Sequence, residues 1–268
     1  MNFPIGVYDS GLVGLSVASR ILQTLPDERI IYFADTAHVP YGERSFEDIR
    51  VFSKAIAGFL IDKGAKAVVA ACNLSSAVAL DILTDTFPQI PILGVIEPGA
   101  RAAVRAANGH PIGVLATTGT IKSGAYQNAI GALDRSIPAI GRACPRFVPL
   151  VESGMADSED AASAAAEYVQ PLLEAGCRTI ILGCTHYPFL IDPIRSAAGQ
   201  DVTIVDPAEE TAAELAALLL RRKIAGDGLD SAHEFYSSGE SSGFMTLGSR
   251  FLGRTIAAVS HGDLQGAK

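Results

Sequence analysis

The sequence predicts an α/β protein of two similar lobes, each with a mainly parallel sheet flanked by helices, the two lobes being related by pseudo-twofold symmetry. Three observations lead to this prediction. The chain has 268 residues, nearly twice a typical domain of about 150 residues. Short β-branched runs alternate with helical patterns, which is typical of parallel βα units. Finally, an apolar strand that ends at a cysteine occurs twice in the sequence.

Apolar runs bounded by turn residues are predicted as strands at residues 5–8, 30–33, 67–71, 92–95, 112–115, 179–182 and 202–205. Helices are expected between them. One of these should begin at Ser45, because Asp48 three residues later completes a capping box, and should stop before Gly64. The predicted lobes are residues 1–96 and 97–205, and residues 206–268 are expected to return to the first lobe.

An internal repeat supports two related lobes. The segment PIGV at Pro4 recurs at Pro111, 107 residues later, and the strand VVAAC ending at Cys72 is matched by IILGC ending at Cys184, 112 residues later. Because the two offsets nearly agree, each lobe is expected to open with a PIGV strand and to carry a cysteine after a later strand.

Composition excludes several classes of protein. Hydrophobic residues make up 49% of the chain and charged residues 19%, so it should fold without a partner. Its net charge of −8 repels a phosphate backbone, and nucleic acid is therefore not an expected partner. No apolar run approaches the roughly 20 residues that cross a bilayer, and no signal-peptide pattern opens the sequence. We expect a cytoplasmic protein that does not bind membranes.

The four cysteines lack CxxC spacing, so reduced thiols are expected rather than disulfides. Cys144 and Cys177 are interpreted as small buried hydrophobes. Cys72 and Cys184 differ, because each follows an apolar strand and precedes polar residues and a helix. Ligands of open α/β sheets bind beyond the carboxyl ends of the strands, where the amino end of the next helix favours a thiolate.

Other polar residues allow two interpretations each. Asp9 follows the first strand, where it could cap a helix or belong to a site. Thr117 and Thr120 could bind a carboxylate or cap a helix. Glu152, which ends an apolar run, could belong to a site or be a solvated loop carboxylate. Cys184 and His186 could supply two metal ligands, but no second cluster with ligand spacing exists, so we expect no metal.

No cofactor is expected from the motifs, because the sequence contains neither GxGxxG nor GxxxxGK[ST]. Eight segments instead resemble the bacterial glutamate racemase family, within the aspartate/glutamate racemase superfamily. They are GVYDSG, YFADTAHVPYG, AACN, GVIEPG, GTIKSGAYQ, FVPLVESG, ILGCTHYPFL and VDPAEET. The resemblance spans nearly the whole chain. It implies two lobes facing each other across an active-site cleft, no cofactor, glutamate as substrate, D-glutamate supply for peptidoglycan, and a homodimer.

Carried over residue by residue, the resemblance makes Cys72 and Cys184 the catalytic thiols. It implies that Asp9 assists Cys72, and that Glu152 and His186 assist Cys184. The candidate substrate contacts are Asp9, Ser10, Pro40, Tyr41, Gly42, Asn73, Leu74, Thr117, Thr120, Thr185 and His186.

Two positions depart from the family pattern. Val13 stands where the family usually has a flexible glycine, which bears on the loop after Asp9. Leu74 stands where a threonine usually follows Cys72-Asn73, so a hydroxyl expected to contact a substrate carboxylate is missing.

Three other functions stay open from the sequence. One is a superfamily relative acting on aspartate, a hydantoin or a malonate. Another is a two-lobed small-molecule binding protein without catalysis. The third is a pyridoxal phosphate enzyme, because no motif excludes a Schiff-base lysine.

Overall fold

The computed structural model of the chain describes residues 3–226, 228, 232–241 and 243–264. The chain forms two compact units. The first takes in the chain up to Val95 and again from Thr211, and the second runs from Ile96 to Glu210. Within the described residues, no helix is both long enough and apolar enough to cross a membrane.

The seven predicted strands are confirmed to within one residue at each end, and the described residues contain three further strands. In chain order the strands are β1 Ile5–Asp9, β2 Ile30–Ala34, β3 Ala67–Ala70, β4 Ile92–Gly94, β5 Ile112–Ala116, β6 Ala139–Ala143, β7 Thr179–Gly183, β8 Thr203–Val205, β9 Glu234–Ser237 and β10 Ser260–His261.

Helices connect the strands, as predicted. They are α1 Leu15–Thr24, α2 Phe46–Asp62, α3 Asn73–Thr86, α4 Ile96–Ala107, α5 Thr118–Ser123, α6 Ala125–Leu133, α7 Phe147–Glu152, α8 Glu159–Glu174, α9 Ile191–Ala198, α10 Pro207–Arg222 and α11 Phe244–Leu252, with 3-10 turns at Tyr41–Glu43 and Tyr187–Leu190. The capping box of Ser45 and Asp48 opens α2. Gly64 ends it with a φ of +88°, which favours glycine.

All strand pairs of both sheets are parallel. The first unit has the order β10-β9-β2-β1-β3-β4, and the second has β6-β5-β7-β8. Strands β9 and β10 add to the first sheet beside β2. These two strands follow Thr211, where the chain re-enters the first unit.

The internal repeat of the sequence corresponds to a shared topology. The four-strand order β2-β1-β3-β4 of the first sheet is the same as β6-β5-β7-β8 of the second. The two PIGV segments contribute β1 and β5, and the two strands before Cys72 and Cys184 are β3 and β7. The prediction of two similar α/β folding units is confirmed.

Burial explains which strands could be predicted. The strands β1, β2, β3, β5 and β7 are buried at every position, so they are continuous apolar runs, as parallel strands covered on both faces must be. Strand β6 lies at a sheet edge and is only half-buried. Its sequence AIGRA carries no such run, which is why it was not predicted.

Candidate active site

The two cysteines singled out from the sequence lie at equivalent places in the two sheets. Strand β1 lies between β2 and β3, and β5 lies between β6 and β7, so the strand order reverses at β1/β3 and at β5/β7. Ligands bind beyond the carboxyl ends of strands at such points. Cys72 follows the end of β3 by two residues, and Cys184 directly follows β7.

Cys72 is the first residue before α3, with φ −65° and ψ 122°. Its thiol is nearly buried, with 8% of the residue exposed, in an apolar cluster that includes Tyr41, Phe52 and Leu74. The partial positive charge at the amino end of this 14-residue helix favours a negatively charged group at that position.

Asp9 ends β1 and is fully buried. Its Oδ2 accepts hydrogen bonds from the backbone N–H groups of Gly11 (3.0 Å) and Gly14 (3.2 Å). The hydroxyl of Tyr32 donates to the carbonyl of Gly11 at 2.7 Å. The loop after β1 is therefore folded around the Asp9 carboxylate, which is held at the carboxyl edge of the first sheet.

The loop after Asp9 tolerates Val13, because the close approach occurs one residue later. Val13 is buried, with 5% exposed. A Cβ added at Gly14 would lie 2.3 Å from the Cβ of Asp9 and 2.8 Å from the Tyr32 hydroxyl. Gly14 is thus the glycine that the loop requires, and this chain retains it.

Ser76 fixes the first turn of α3, a role that the sequence did not reveal. Its hydroxyl donates to the carbonyl of Ala70 at 2.7 Å and accepts from the N–H of Val95 at 3.1 Å. Its own N–H donates to the carbonyl of Cys72 at 2.9 Å. The start of α3, and with it Cys72, is tied to the ends of both β3 and β4.

The other candidate contacts of the first unit differ in exposure. Asn73 is buried at the first position of α3, and Ser10 is half-buried. Tyr41 is buried, and its hydroxyl donates to Asp35 at 2.6 Å. Pro40 and Gly42 are exposed. Since the Tyr41 hydroxyl donates its proton to Asp35, a hydrogen bond from this residue to a substrate carboxylate would come from its backbone N–H.

In the second unit, His186 bridges Cys184 and Glu152. The Sγ of Cys184 lies 3.6 Å from Nδ1 of His186, and Nε2 of His186 lies 3.3 Å from Oε1 of Glu152. Cys184 and His186 are each 8% exposed, whereas 64% of the Glu152 side chain is exposed. This arrangement gives the thiol a neighbouring imidazole whose other nitrogen is oriented by a carboxylate.

Thr117 caps α5, as one of its two interpretations predicted. Its side chain accepts from the N–H of Thr120 at 3.4 Å, and the two hydroxyls lie 3.1 Å apart. Thr120 and Thr185 are nearly buried. The Thr117 hydroxyl uses one acceptor position for this cap. A hydrogen bond between Thr117 and a substrate carboxylate stays a prediction.

The remaining two cysteines have the environment of inert core residues. Cys144 is 1% exposed and Cys177 is fully buried. Burial raises the pKa of both thiols, which disfavours a thiolate.

Among the residues that the structure describes, no group of three or more His, Cys, Asp or Glu side chains could hold a metal ion.

The profile of the Asp/Glu/hydantoin racemase family matches residues 13–215 of the chain. The chain belongs to this racemase family. It is 44% identical over 263 residues to the glutamate racemase of Desulforudis audaxviator, covering 96% of each chain. It is 41% identical over 262 residues to the glutamate racemase of Bacillus cereus, covering 97% of each.

Solved structures of this racemase family have the same fold. A glutamate racemase isoform from Bacillus anthracis has a TM-score of 0.93 at 41% identity, with 98% of each chain covered. The glutamate racemase of Francisella tularensis, solved in complex with D-glutamate, has a TM-score of 0.92 at 33% identity, again covering 98% of each chain.

One pH-dependent contribution to stability is expected at this racemase's Glu152. The hydrogen bond from His186 is the main cause that lowers the pKa of Glu152 below its ordinary 4.5, and the charge of His186 acts in the same direction, against the effect of desolvation. A carboxyl group with a lowered pKa stabilises the folded state above pH 4.5, and this stabilisation is lost as the pH falls through the lowered value.

The stability of Glu152→Gln relative to wild type should therefore depend on pH. We expect wild type to have the larger free energy of unfolding at pH 6, and the difference to shrink below pH 4.5. It should be small, since the carboxylate is mostly exposed. Urea unfolding at several pH values measures it. In a His186→Asn background the difference should vanish, and its persistence there would exclude His186 as the cause.

Proposed function

We propose that the protein interconverts L- and D-glutamate without a cofactor, supplying D-glutamate for peptidoglycan synthesis. The observation that supports this most directly is the placement of one near-buried thiol at the switch point of each sheet, in a chain whose relatives are glutamate racemases over nearly their full length. Inverting an α-carbon needs a base that removes its proton and an acid that returns one to the opposite face. Cys72 and Cys184 are proposed for these two roles.

In the proposed reaction one cysteine is a thiolate and the other a thiol. The thiolate takes the α-proton, the electron pair stays on the α-carbon beside the carboxylate, and the opposite thiol donates its proton to that carbon. The two cysteines end with exchanged protonation states, so the reverse reaction starts from the other side. Asp9 is proposed to assist proton transfer at Cys72, and His186 with Glu152 to assist it at Cys184.

The energetic difficulty is the weak acidity of the α-carbon. An ordinary thiol has a pKa of about 8.5. A gap on the order of ten pKa units between the thiol and the α-carbon corresponds to about 14 kcal/mol. The site must offset this by stabilising the carbanion. Backbone N–H groups, hydroxyl groups and hydrogen bonds that strengthen as charge develops supply such stabilisation when they are preorganised. The proposed donors are Ser10, Asn73, Thr117, Thr120, Thr185 and the backbone N–H groups of Tyr41 and Gly42. Pro40, which has no N–H, is proposed as a further substrate contact beside them.

The proposed reaction is tested by incubating L- and D-glutamate separately with the purified protein in deuterated water, without added cofactor. Chiral chromatography should show both samples approaching an equal mixture, with deuterium entering at the α-carbon. Aspartate, a hydantoin and a malonate serve as alternative substrates. Inversion of aspartate alone would reassign the substrate. Absence of α-deuterium from every substrate would favour a binding protein.

The cellular setting and assembly are proposed along with the activity. A cytoplasmic location fits an enzyme that draws on free L-glutamate. A homodimer is proposed because the resemblance to the family implies one. Light scattering of the purified protein measures its mass directly, and a value for one chain would exclude the dimer.

Leu74 offers a test of how the substrate carboxylate is held. The hydroxyl of Ser76 does not replace the missing threonine hydroxyl, because it is bonded to Ala70 and Val95. If the fully buried Ser75 does not supply the contact either, the site lacks one hydrogen bond to the substrate carboxylate. A hydrogen bond to a charged group contributes about 1.5 to 3 kcal/mol. Leu74→Thr should therefore raise kcat/KM for glutamate roughly ten- to a hundredfold, mainly through a lower KM.

The matched control is Leu74→Val, which has the shape of threonine without its hydroxyl. It should share any effect of the smaller side chain but not the gain in kcat/KM. An equal gain in both variants would attribute it to space rather than to a hydrogen bond. No gain in Leu74→Thr would mean that Leu74 points away from the substrate or that a neighbouring serine already supplies the contact, and the hypothesis of a missing hydroxyl would be dropped.

A further inference from the structure

Asp35, directly after β2, is a buried carboxylate at the centre of a hydrogen-bond network. It is fully buried. Its two oxygens lie 2.8 and 3.0 Å from Nδ1 of His38, and it accepts from the hydroxyls of Tyr41 and Ser238, each at 2.6 Å. Hydrogen bonds to a charged acceptor are stronger than those between neutral groups. The side chains of His38, Tyr41 and Ser238 are thus all held by the Asp35 carboxylate.

The segment after Asp35 is also anchored to the last residue of β9 and to the two residues that follow it. The hydroxyls of Thr36 and Ser237 lie 2.7 Å apart, the N–H of Ala37 donates to the Ser238 hydroxyl at 3.0 Å, and the N–H of Gly239 donates to the Thr36 hydroxyl at 3.0 Å. A Cβ at Gly239 would lie 2.9 Å from that hydroxyl. Residues 237–239 therefore form a close support for the segment.

The network reaches the residues around Cys72 by two direct contacts. The N–H of Asp35 donates to the carbonyl of Asp9 at 3.0 Å. The ring of His38 stacks on Phe52 at 3.9 Å between centroids and 16° between planes. Phe52 packs in the same apolar cluster as Cys72 and Tyr41. Displacement of the segment after Asp35 would therefore also shift Asp9 and the side chains that surround the Cys72 thiol.

We propose that Asp35 is a positioning residue that holds residues 36–44 in the conformation that presents the backbone of Tyr41 and Gly42 to the substrate. Ser238, from the part of the chain that returns to the first unit, completes the network. The inference rests on the proposed function in that Tyr41 and Gly42 contact glutamate. Asp35 itself exchanges no proton with the substrate, because its oxygens are occupied by His38, Tyr41 and Ser238.

The kinetic test uses Asp35→Asn, which keeps the size of the side chain and removes its charge. We expect KM for L- and D-glutamate to rise by a similar factor, roughly ten- to a hundredfold, with a smaller change in kcat. Tyr41→Phe should raise KM less, and adding it to Asp35→Asn should raise KM no further, since both changes break one network. Asp81→Asn, at an exposed carboxylate on α3, is the control and should be neutral.

A fall in kcat at unchanged KM for Asp35→Asn would overturn the proposal in favour of a proton-transfer role. Additive effects of Asp35→Asn and Tyr41→Phe would overturn it as well. Ser238→Ala provides a milder variant if Asp35→Asn fails to fold, and should raise KM in the same direction by a smaller factor.

Hydrogen exchange provides a readout that does not depend on racemisation. Amides of residues 36–44 should exchange faster in Asp35→Asn and Ser238→Ala, whereas those of α6 should keep their wild-type rates. Unchanged exchange in residues 36–44 would refute the positioning role. If wild type fails to invert glutamate while this acceleration is observed, the proposed function fails and the structural role of Asp35 is retained.

Discussion

Replacing either Cys72 or Cys184 with serine is expected to abolish racemisation while leaving the fold intact. A serine hydroxyl occupies nearly the same space as a thiol but is far less acidic, so the base on one side of the substrate is lost. General acid–base catalysis contributes about 10²- to 10⁴-fold to the rate, and the loss of kcat should reach at least this range in each variant. Chiral chromatography with both enantiomers of glutamate measures it, and circular dichroism verifies folding.

Cys177 is the matched control for these two variants. It lies before β7 at the amino end of the strand, and it is fully buried in the same unit as Cys184. Cys177→Ser should retain racemisation even if its stability falls, because its thiol is far from the carboxyl ends of the strands. Wild-type turnover in Cys72→Ser or Cys184→Ser would refute the two-base mechanism.

Gly14→Ala is expected to destabilise the first unit and to disable Asp9. The added Cβ would lie 2.3 Å from the Cβ and 2.6 Å from the Cγ of Asp9, which is closer than real Cβ atoms approach. Overpacking costs about 1 to 3 kcal/mol, and displacing a reacting group by about 1 Å costs about a hundredfold in rate. Urea unfolding measures the first effect, and kcat for both enantiomers measures the second.

Gly11→Ala is the matched control, in the same loop and with its N–H also donated to Asp9. A Cβ added there meets no atom within 4 Å, so its stability should stay near that of wild type. Equal destabilisation by the two substitutions would attribute the effect to the loop's flexibility rather than to the contact with Asp9. Wild-type stability of Gly14→Ala would show that the loop can relax away from that contact.

Much of the architecture followed from the sequence because buried parallel strands are continuous apolar runs. Strands such as Ile5–Asp9 and Thr179–Gly183 are buried at every position, so their composition alone marks them. The repeated PIGV segment and the repeated strand before a cysteine predicted two similar folding units. The edge strand Ala139–Ala143 is half-buried, and without a full apolar run it left no comparable signal.

Other features were decided only by the tertiary structure, because they depend on residues far apart in the chain. Sequence spacing could not tell whether His186 turns toward Cys184, and folding places its imidazole between that thiol and Glu152, 34 residues earlier. Asp35 gave no sign of its role, since Ser238 comes to it from 203 residues away. Composition and periodicity indicate how much of a strand is buried, whereas hydrogen bonds between distant side chains form only after each sheet has brought the ends of its own strands together.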